Sequence, residues 1–220
     1  MPFLNRSEAG RRLADMLQRY ESDEVVILAL PRGGVPVAAE VAHRLSAPLD
    51  VLLVRKIGLP LQPELAMGAV VDGSAPVVVR NEEVIRLAGV SEAQFHEIES
   101  LELEEIERRR DRYTGGRTPI PVEGRIAVVI DDGIATGATV RAAIRGLRRR
   151  NPARIVIAVP VAPPDTVAAL EKEADEVICL EQHSHFVAIG QFYQDFRQVE
   201  DEEVIRYLAE AAQARNDGVQ

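Results

Sequence analysis

A chain of 220 residues, 46% hydrophobic and 28% charged, is long enough to bury a sizeable core and too apolar for global disorder. The net charge of −9 argues against a general nucleic-acid binder, which needs a basic face to displace counterions from phosphates. Cys179 is the sole cysteine, so no intrachain disulfide forms, and it reads as a core thiol. No apolar run reaches the ~18 residues of a membrane span, and the N-terminal stretch lacks the apolar core of a secretion signal. A cytoplasmic protein without membrane or nucleic-acid partners is expected.

The elements follow in chain order. Residues 5–20 read as an amphipathic helix, with Ala9, Leu13, Met16, Leu17 and Tyr20 on one face. The apolar run 25–30 suits a strand buried on both faces. Pro31-Arg32-Gly33-Gly34 stops it, a helix follows over 35–45, and a second strand at 51–54 ends in Arg55-Lys56. Residues 57–67, with Gly58, Pro60 and Pro63, read as a loop, followed by short strands at 69–71 and 76–80 around Asp72-Gly73. Ser91 with Gln94 makes a capping box for a charged helix that runs to about Tyr113 before Gly115-Gly116. Strands at Ile126–Ile130, 155–161 and 177–180 alternate with helices at about 137–149 and 166–172, and a last helix is expected at about 201–212. Strands alternating with helices imply a doubly wound α/β domain with a mostly parallel sheet. Residues 81–124 exceed what that architecture needs and read as a helical insertion.

One strand–loop–helix segment carries the chemistry. The apolar run ending at Ile130 delivers Asp131 and Asp132 at a strand's carboxyl end, and Gly133-Ile134-Ala135-Thr136-Gly137-Ala138-Thr139 opens the next helix. Small residues let the backbone approach an anion, and a helix N-terminus supplies free amides and a positive dipole end. Thr136 and Thr139 add hydroxyls. Carboxylates beside a phosphate nest suit a ligand with hydroxyls or a metal next to its phosphate, as in a sugar phosphate. No lysine follows Gly137, which excludes a P-loop, and no strand–helix junction carries the glycine pattern of a dinucleotide site.

This segment resembles the phosphoribosyl pyrophosphate signature of type I phosphoribosyltransferases, with Gly133 departing from the apolar residue usual there. Leu30-Pro31-Arg32-Gly33-Gly34 resembles the family's pyrophosphate loop, and Val54-Arg55-Lys56-Ile57-Gly58-Leu59-Pro60 the strand end leading to its mobile catalytic loop. Lys56-Ile57-Gly58-x-Pro60-x-x-Pro63-Glu64 and Tyr193-x-Asp195-Phe196 are similar to a bacterial group of phosphoribosyltransferases with no assigned acceptor. The resemblance implies the type I fold over residues 1–220, with a small hood from the N-terminal segment and about 181–198. It also implies a magnesium-dependent transfer of a 5-phosphoribosyl group from phosphoribosyl pyrophosphate to a small, nucleobase-like or other, acceptor with release of pyrophosphate. A homodimer active in nucleotide metabolism goes with it.

By the same resemblance, Asp131 and Asp132 hold the ribose hydroxyls and favour the positive charge that develops on the ring. Ala135, Thr136, Gly137, Ala138 and Thr139 wrap the 5′-phosphate, with Gly133 and Ile134 in the same substrate-binding segment. Arg32 with the Gly33 and Gly34 amides clamps the pyrophosphate, and Arg55 and Lys56 address the same anion. Mg2+ arrives with the substrate near Asp131 and Asp132, since two carboxylates make a poor cage for it. Phe186 and Tyr193 are candidates to stack on the acceptor. Members acting on 6-oxopurines carry an acid where this chain has Ala135, which leaves adenine-like, orotate-like and non-nucleobase acceptors open.

The remaining signals read as surface. His183 and His185 lack a third ligand nearby, and the runs Arg108-Arg109-Arg110 with Arg112 and Arg148-Arg149-Arg150 suit solvated or dipole-matched helix ends. The competing reading is a regulator that senses phosphoribosyl pyrophosphate or a nucleotide on the same fold without catalysis. The intact Arg32-Gly33-Gly34 loop and Arg55-Lys56 favour an enzyme. Hydrolysis or phosphorolysis of an activated ribose would use the same residues.

Overall fold

The computed structural model describes residues 1–73 and 75–217, the side chains of 215–217 excepted. Its strands are β1 (Val25–Ala29), β2 (Leu49–Val51), β3 (Val54–Leu59), β4 (Gln62–Val71), β5 (Val77–Arg80), β6 (Ile126–Ile130), β7 (Arg154–Ala162) and β8 (Glu176–Gln182). Its helices are α1 (Arg6–Leu17), α2 (Gly34–Arg44), α3 (Glu82–Ala88), α4 (Glu92–Thr114), α5 (Ala138–Arg148), α6 (Pro164–Leu170) and α7 (Asp201–Asp217). None of the described helices is long and apolar enough to cross a membrane.

The apolar runs pair as a parallel sheet in the order β2-β1-β6-β7-β8. Because side chains alternate across a strand, each strand serves two cores. Val25, Ile27, Ala29, Val128, Ile130, Val156 and Ala158 face a core shared with α1, α2, α4 and α7. Val26, Leu28, Ala127, Val129, Ile155, Ile157 and Val159 face a second core shared with α5 and α6. Both faces are thus covered, which is why these strands lack a polar alternate and read as continuous apolar runs. On the first helix, Met16 departs from the expected face: it is exposed, while Ala9, Leu13, Leu17 and Tyr20 are buried.

The region 54–80 corrects the sequence reading. The expected strand at 51–54 splits at Leu52-Leu53, and the expected loop at 57–67 is a hairpin. β3 and β4 pair antiparallel, and β5 completes a three-stranded sheet. The glycine and prolines suggested a loop, but they sit where the register shifts between Ile57, Gly58 and Leu59 and at the hairpin tip. Buried Ile57, Leu59 and Met67 anchor the hairpin, with Phe95 of α4 against Gly68.

The insertion is helical as expected, but holds two helices. Asn81 caps α3 through the Val84 amide, and Gly89 ends it in a left-handed turn. Ser91 and Gln94 form the capping box of α4, which stops at left-handed Gly115. The arginine runs are not wholly on the surface. Arg110 is 11% exposed in its side chain and bonds Asp50 at 2.6 Å and Asp72 at 2.5 Å. The Arg150 guanidinium is partly buried over Gly73 and donates to the Val71 carbonyl at 3.2 Å. This cluster locks α4 and the turn after α5 onto the base of the hairpin.

Candidate active site

From β1 the chain crosses to β2 on one side of the sheet, and from β6 it proceeds to β7 and β8 on the other. The carboxyl ends of β1 and β6 therefore flank the point where strand order reverses, the place where open α/β sheets take ligands. Two loops meet there. The Leu30 amide donates to the Ile130 carbonyl at 2.8 Å, joining the strand ends. A methyl on Gly34 would stand 2.6 Å from the Ile130 carbonyl oxygen and 2.9 Å from Asp131 Cα. One on Gly33 would overlap the Asp132 carboxylate. Only glycine lets residues 31–34 lie this close to the acids. The Pro31–Arg32 peptide at the start of this loop is cis.

Beyond the acids, Gly137 takes a left-handed turn at φ 74° and opens α5 with no side chain capping the helix. Its first-turn amides are left to bind an anion from outside. Ala135, Thr136, Ala138 and Thr139 are exposed around this opening. The loop is pinned from behind, where the Thr166 hydroxyl donates to the Ala135 carbonyl at 2.8 Å. Ile134 corrects the expectation that it contacts substrate. Its side chain is buried and its amide donates to Val161 O at 2.9 Å, so it anchors the loop. Gly133 lies under the segment 189–192, where an added methyl would come within 2.6 Å of Ile189 Cγ2. This contact explains its departure from an apolar residue.

The two acids are not equivalent. Asp131 is half-buried and, among the described residues, accepts only the Asp132 amide, at 2.9 Å. Asp132 is 7% exposed, and Arg6 Nε donates to its Oδ2 at 2.7 Å. The Tyr193 hydroxyl donates to the Asp132 carbonyl at 2.6 Å. Burial, then the neighbouring Asp132, pushes Asp131 well above the usual carboxylate range. Burial raises Asp132 too, with Arg6 pulling against it. Among the described residues, Arg6 is the one cationic side chain bonded to this pair.

The predicted cations are already engaged. Arg32 lies 3.6 Å from Asp201 and 3.8 Å from Glu200. Arg55 bonds Glu102 of α4 at 2.6 Å, and Lys56 bonds Glu64 across the hairpin at 3.0 Å. Arg55 and Lys56 thus point to carboxylates outside the 131–139 loop. The exposed Lys56–Glu64 pair is worth ~1 kcal/mol or less, so an anionic ligand can replace Glu64 at little cost, whereas the Arg55–Glu102 pair is part-buried.

A model of the phosphoribosyl transferase domain family matches residues 4–197, which includes both loops, the acids and the hood. The chain belongs to the phosphoribosyltransferase family. A Mycobacterium tuberculosis protein assigned provisionally by name to the phosphoribosyl transferases is 49% identical over 209 residues, covering 95% of this chain and 47% of its own length. The chain thus spans about half the length of the curated relatives it matches. The crystal structure of TT1426 from Thermus thermophilus superposes with a TM-score of 0.84 at 40% identity, covering 96% of this chain and 99% of that one.

In this family member the hood is made by the segment around Phe3 and by residues 186–197. The Phe3 amide donates to the Phe192 carbonyl and the Gln194 amide to the Phe3 carbonyl, each at 2.8 Å. Phe3, Ala9, Val161 and Tyr193 form a small core with Phe186, Ile189, Phe192 and Phe196 packed on it. Tyr193 corrects the expectation that it stacks on an acceptor: it is 6% exposed, and its ring lies between Phe3 and Phe196. Phe186 is half-buried against Phe192, with ring centroids 4.9 Å apart. His183 stacks on the same Phe192 and bonds Glu181 at 3.2 Å. Cys179 is half-buried, and burial pushes its thiol to about 11, which leaves it unreactive. Sequence reasoning missed Arg6, an ordinary arginine in the first turn of a helix with no local motif to mark it.

Proposed function

We propose that the chain transfers a 5-phosphoribosyl group from phosphoribosyl pyrophosphate, carried as its magnesium complex, to a small acceptor, with release of pyrophosphate. The observation that carries this reading is the uncapped start of α5 directly after an under-neutralised acid pair, faced by the Gly33-Gly34 loop. The α5 amides and the Thr136 and Thr139 hydroxyls bind the 5′-phosphate, and Asp131 accepts from a ribose hydroxyl. The Gly33 and Gly34 backbone with Arg32 orients the pyrophosphate. As the C1–oxygen bond lengthens, the Asp131 and Asp132 carboxylates favour the positive charge appearing on the ribose.

Magnesium fits the donor set, because the available ligands are hard carboxylate oxygens. When bound, it neutralises the pyrophosphate oxygens. Among the described residues no group of three or more His, Cys, Asp or Glu side chains converges as a metal cage. In this reading the ion arrives with the substrate and sits near Asp131 and Asp132.

Ala135 has no acid to address a 6-oxopurine, so an adenine-like, orotate-like or non-nucleobase acceptor suits the site better. By family resemblance the protein works as a cytoplasmic homodimer in nucleotide metabolism, which sedimentation at two concentrations would check. Calorimetric titration of phosphoribosyl pyrophosphate with magnesium into wild type and Asp131→Asn/Asp132→Asn tests the reading. Binding by wild type, weakened about 100-fold or more in a variant with unchanged circular dichroism, is expected. Equal binding by both proteins would remove the acids from the site.

A further inference from the structure

The phosphoribosyl reading treats the adjacent acids as a matched pair, but their surroundings divide them. Asp132 is held on three sides. Arg6 Nε bonds its carboxylate at 2.7 Å, Tyr193 bonds its carbonyl at 2.6 Å, and Gly33 of the pyrophosphate loop lies against the carboxylate. Arg6 is itself fixed. It is 9% exposed, its guanidinium lies 3.9 Å from the Phe196 ring centroid, and Nη1 donates to the Arg197 carbonyl at 2.8 Å. Asn5 caps α1 through the Glu8 amide at 2.9 Å, which fixes the helix start that presents Arg6. Two hood residues, Phe196 and Arg197, therefore grip the arginine that neutralises Asp132.

We propose that Arg6 is a positioning residue that orients Asp132 beside Asp131 and joins the hood to the donor site. This inference rests on the phosphoribosyl pyrophosphate reading of the site. The mechanism follows from the cost of an unpaired buried charge. With Arg6 in place, the Asp132 carboxylate stays against Gly33 and the peptide between the acids keeps its orientation. Without Arg6, Asp132 seeks another cation or a proton and takes Asp131 and Gly33 with it. A hood that shifts when an acceptor enters would move Arg6, and through it the acids.

The test is a double-mutant cycle read in ligand affinity. Phosphoribosyl pyrophosphate with magnesium is titrated by calorimetry into wild type, Arg6→Gln, Asp132→Asn and the double variant, with thermal melts confirming folding. Arg6→Gln is expected to weaken binding roughly tenfold, by the size usual for residues that orient a ligand-contacting group. The loss should be nearly absent when Arg6→Gln is added to Asp132→Asn, because the pair acts as one unit. Arg6→Lys, which restores charge but cannot reach Asp132 and the Arg197 carbonyl together, should recover part of the affinity, and it replaces Arg6→Gln in the cycle if that variant does not fold. Independent effects of Arg6→Gln and Asp132→Asn, or unchanged affinity in Arg6→Gln, would overturn the assignment while leaving the donor site standing. Failure of wild type to bind would instead remove the reading beneath it, and this inference with it.

Discussion

The molecule contains two clusters of paired aspartates and arginines, and they differ in how completely each is satisfied. In the first, Asp50 accepts from the Val51 amide, the Ile120 amide and Arg110, and Asp72 accepts from the Leu53 amide and Arg110. Every carboxylate oxygen there has a donor. In the second, at Asp131 and Asp132, the donors are one backbone amide and one arginine nitrogen among the described residues. The first lies at the β2 edge of the central sheet, and the second at the carboxyl end of its middle strand, β6. The first is a joint between the insertion and the hairpin, and the second keeps unfilled capacity facing a helix start without a cap. A buried acid becomes a site when the fold declines to finish its hydrogen bonding.

The comparison breaks most visibly at Arg110. Arg110→Met strands two buried carboxylates, and a loss of about 3–5 kcal/mol in urea unfolding is expected. A loss below about 1 kcal/mol would show that the joint is dispensable. On the open side, Gly133→Ala drives a methyl into Ile189, with an expected cost of about 1–3 kcal/mol that Ile189→Ala recovers. No recovery would mean that the strain lies elsewhere in the loop.

Proton linkage sharpens the contrast. Burial raises Asp72 from the ordinary 3.8 to about 6, against the pull of Arg110. The folded state then holds a proton at Asp72 that the unfolded chain has released, so stability falls as pH rises from about 4 to about 6. Glu105 and Glu203, pulled from 4.5 to about 2 by Arg108 with Arg109 and by Arg197, give the opposite slope between about 2 and 4.5, which overlaps only the low end of that window and cancels in the comparison with Asp72→Asn. The wild-type slope minus that of Asp72→Asn should amount to about 1–2 kcal/mol over the window, measured by chemical unfolding at several pH values. Parallel slopes would show that Asp72 does not titrate there. The smallest effect belongs to the hairpin. Glu64→Gln removes an exposed partner of Lys56 and should change stability by less than about 0.5 kcal/mol.

The parts legible from sequence are those whose signal is local. The run into Asp131-Asp132, the glycines at 33, 34 and 137, and the Ser91–Gln94 capping box each lie within a few residues of what they specify. The hairpin at β3 and β4 was not legible because Gly58, Pro60 and Pro63 carry loop chemistry at places where the ladder is irregular. The α3 helix was marked by Asn81 and Gly89, but it spans only seven residues, too few to show a period. The partners that make each cluster lie far along the chain: Arg6 and Asp132 are 126 positions apart, and Arg110 and Asp50 are 60 apart. No single-sequence pattern reports such pairs. Tyr193 misled for the same reason, since nothing near it announces Phe3 or the Asp132 carbonyl as its neighbours.

The short strand contact between Phe3 and Gln194 sets a timetable for biosynthesis. Phe3 leaves the ribosome about 190 residues before its partner, an interval of roughly 10–40 s at 5–20 residues per second. Throughout that interval the central sheet can assemble while the segment ahead of α1 hangs free. The nascent protein therefore acquires its scaffold first and its closed donor site last. On chains stalled at increasing lengths, trypsin should cut at Arg6 until residue 197 has emerged, and protection arriving much earlier would show that the N-terminus finds another resting place.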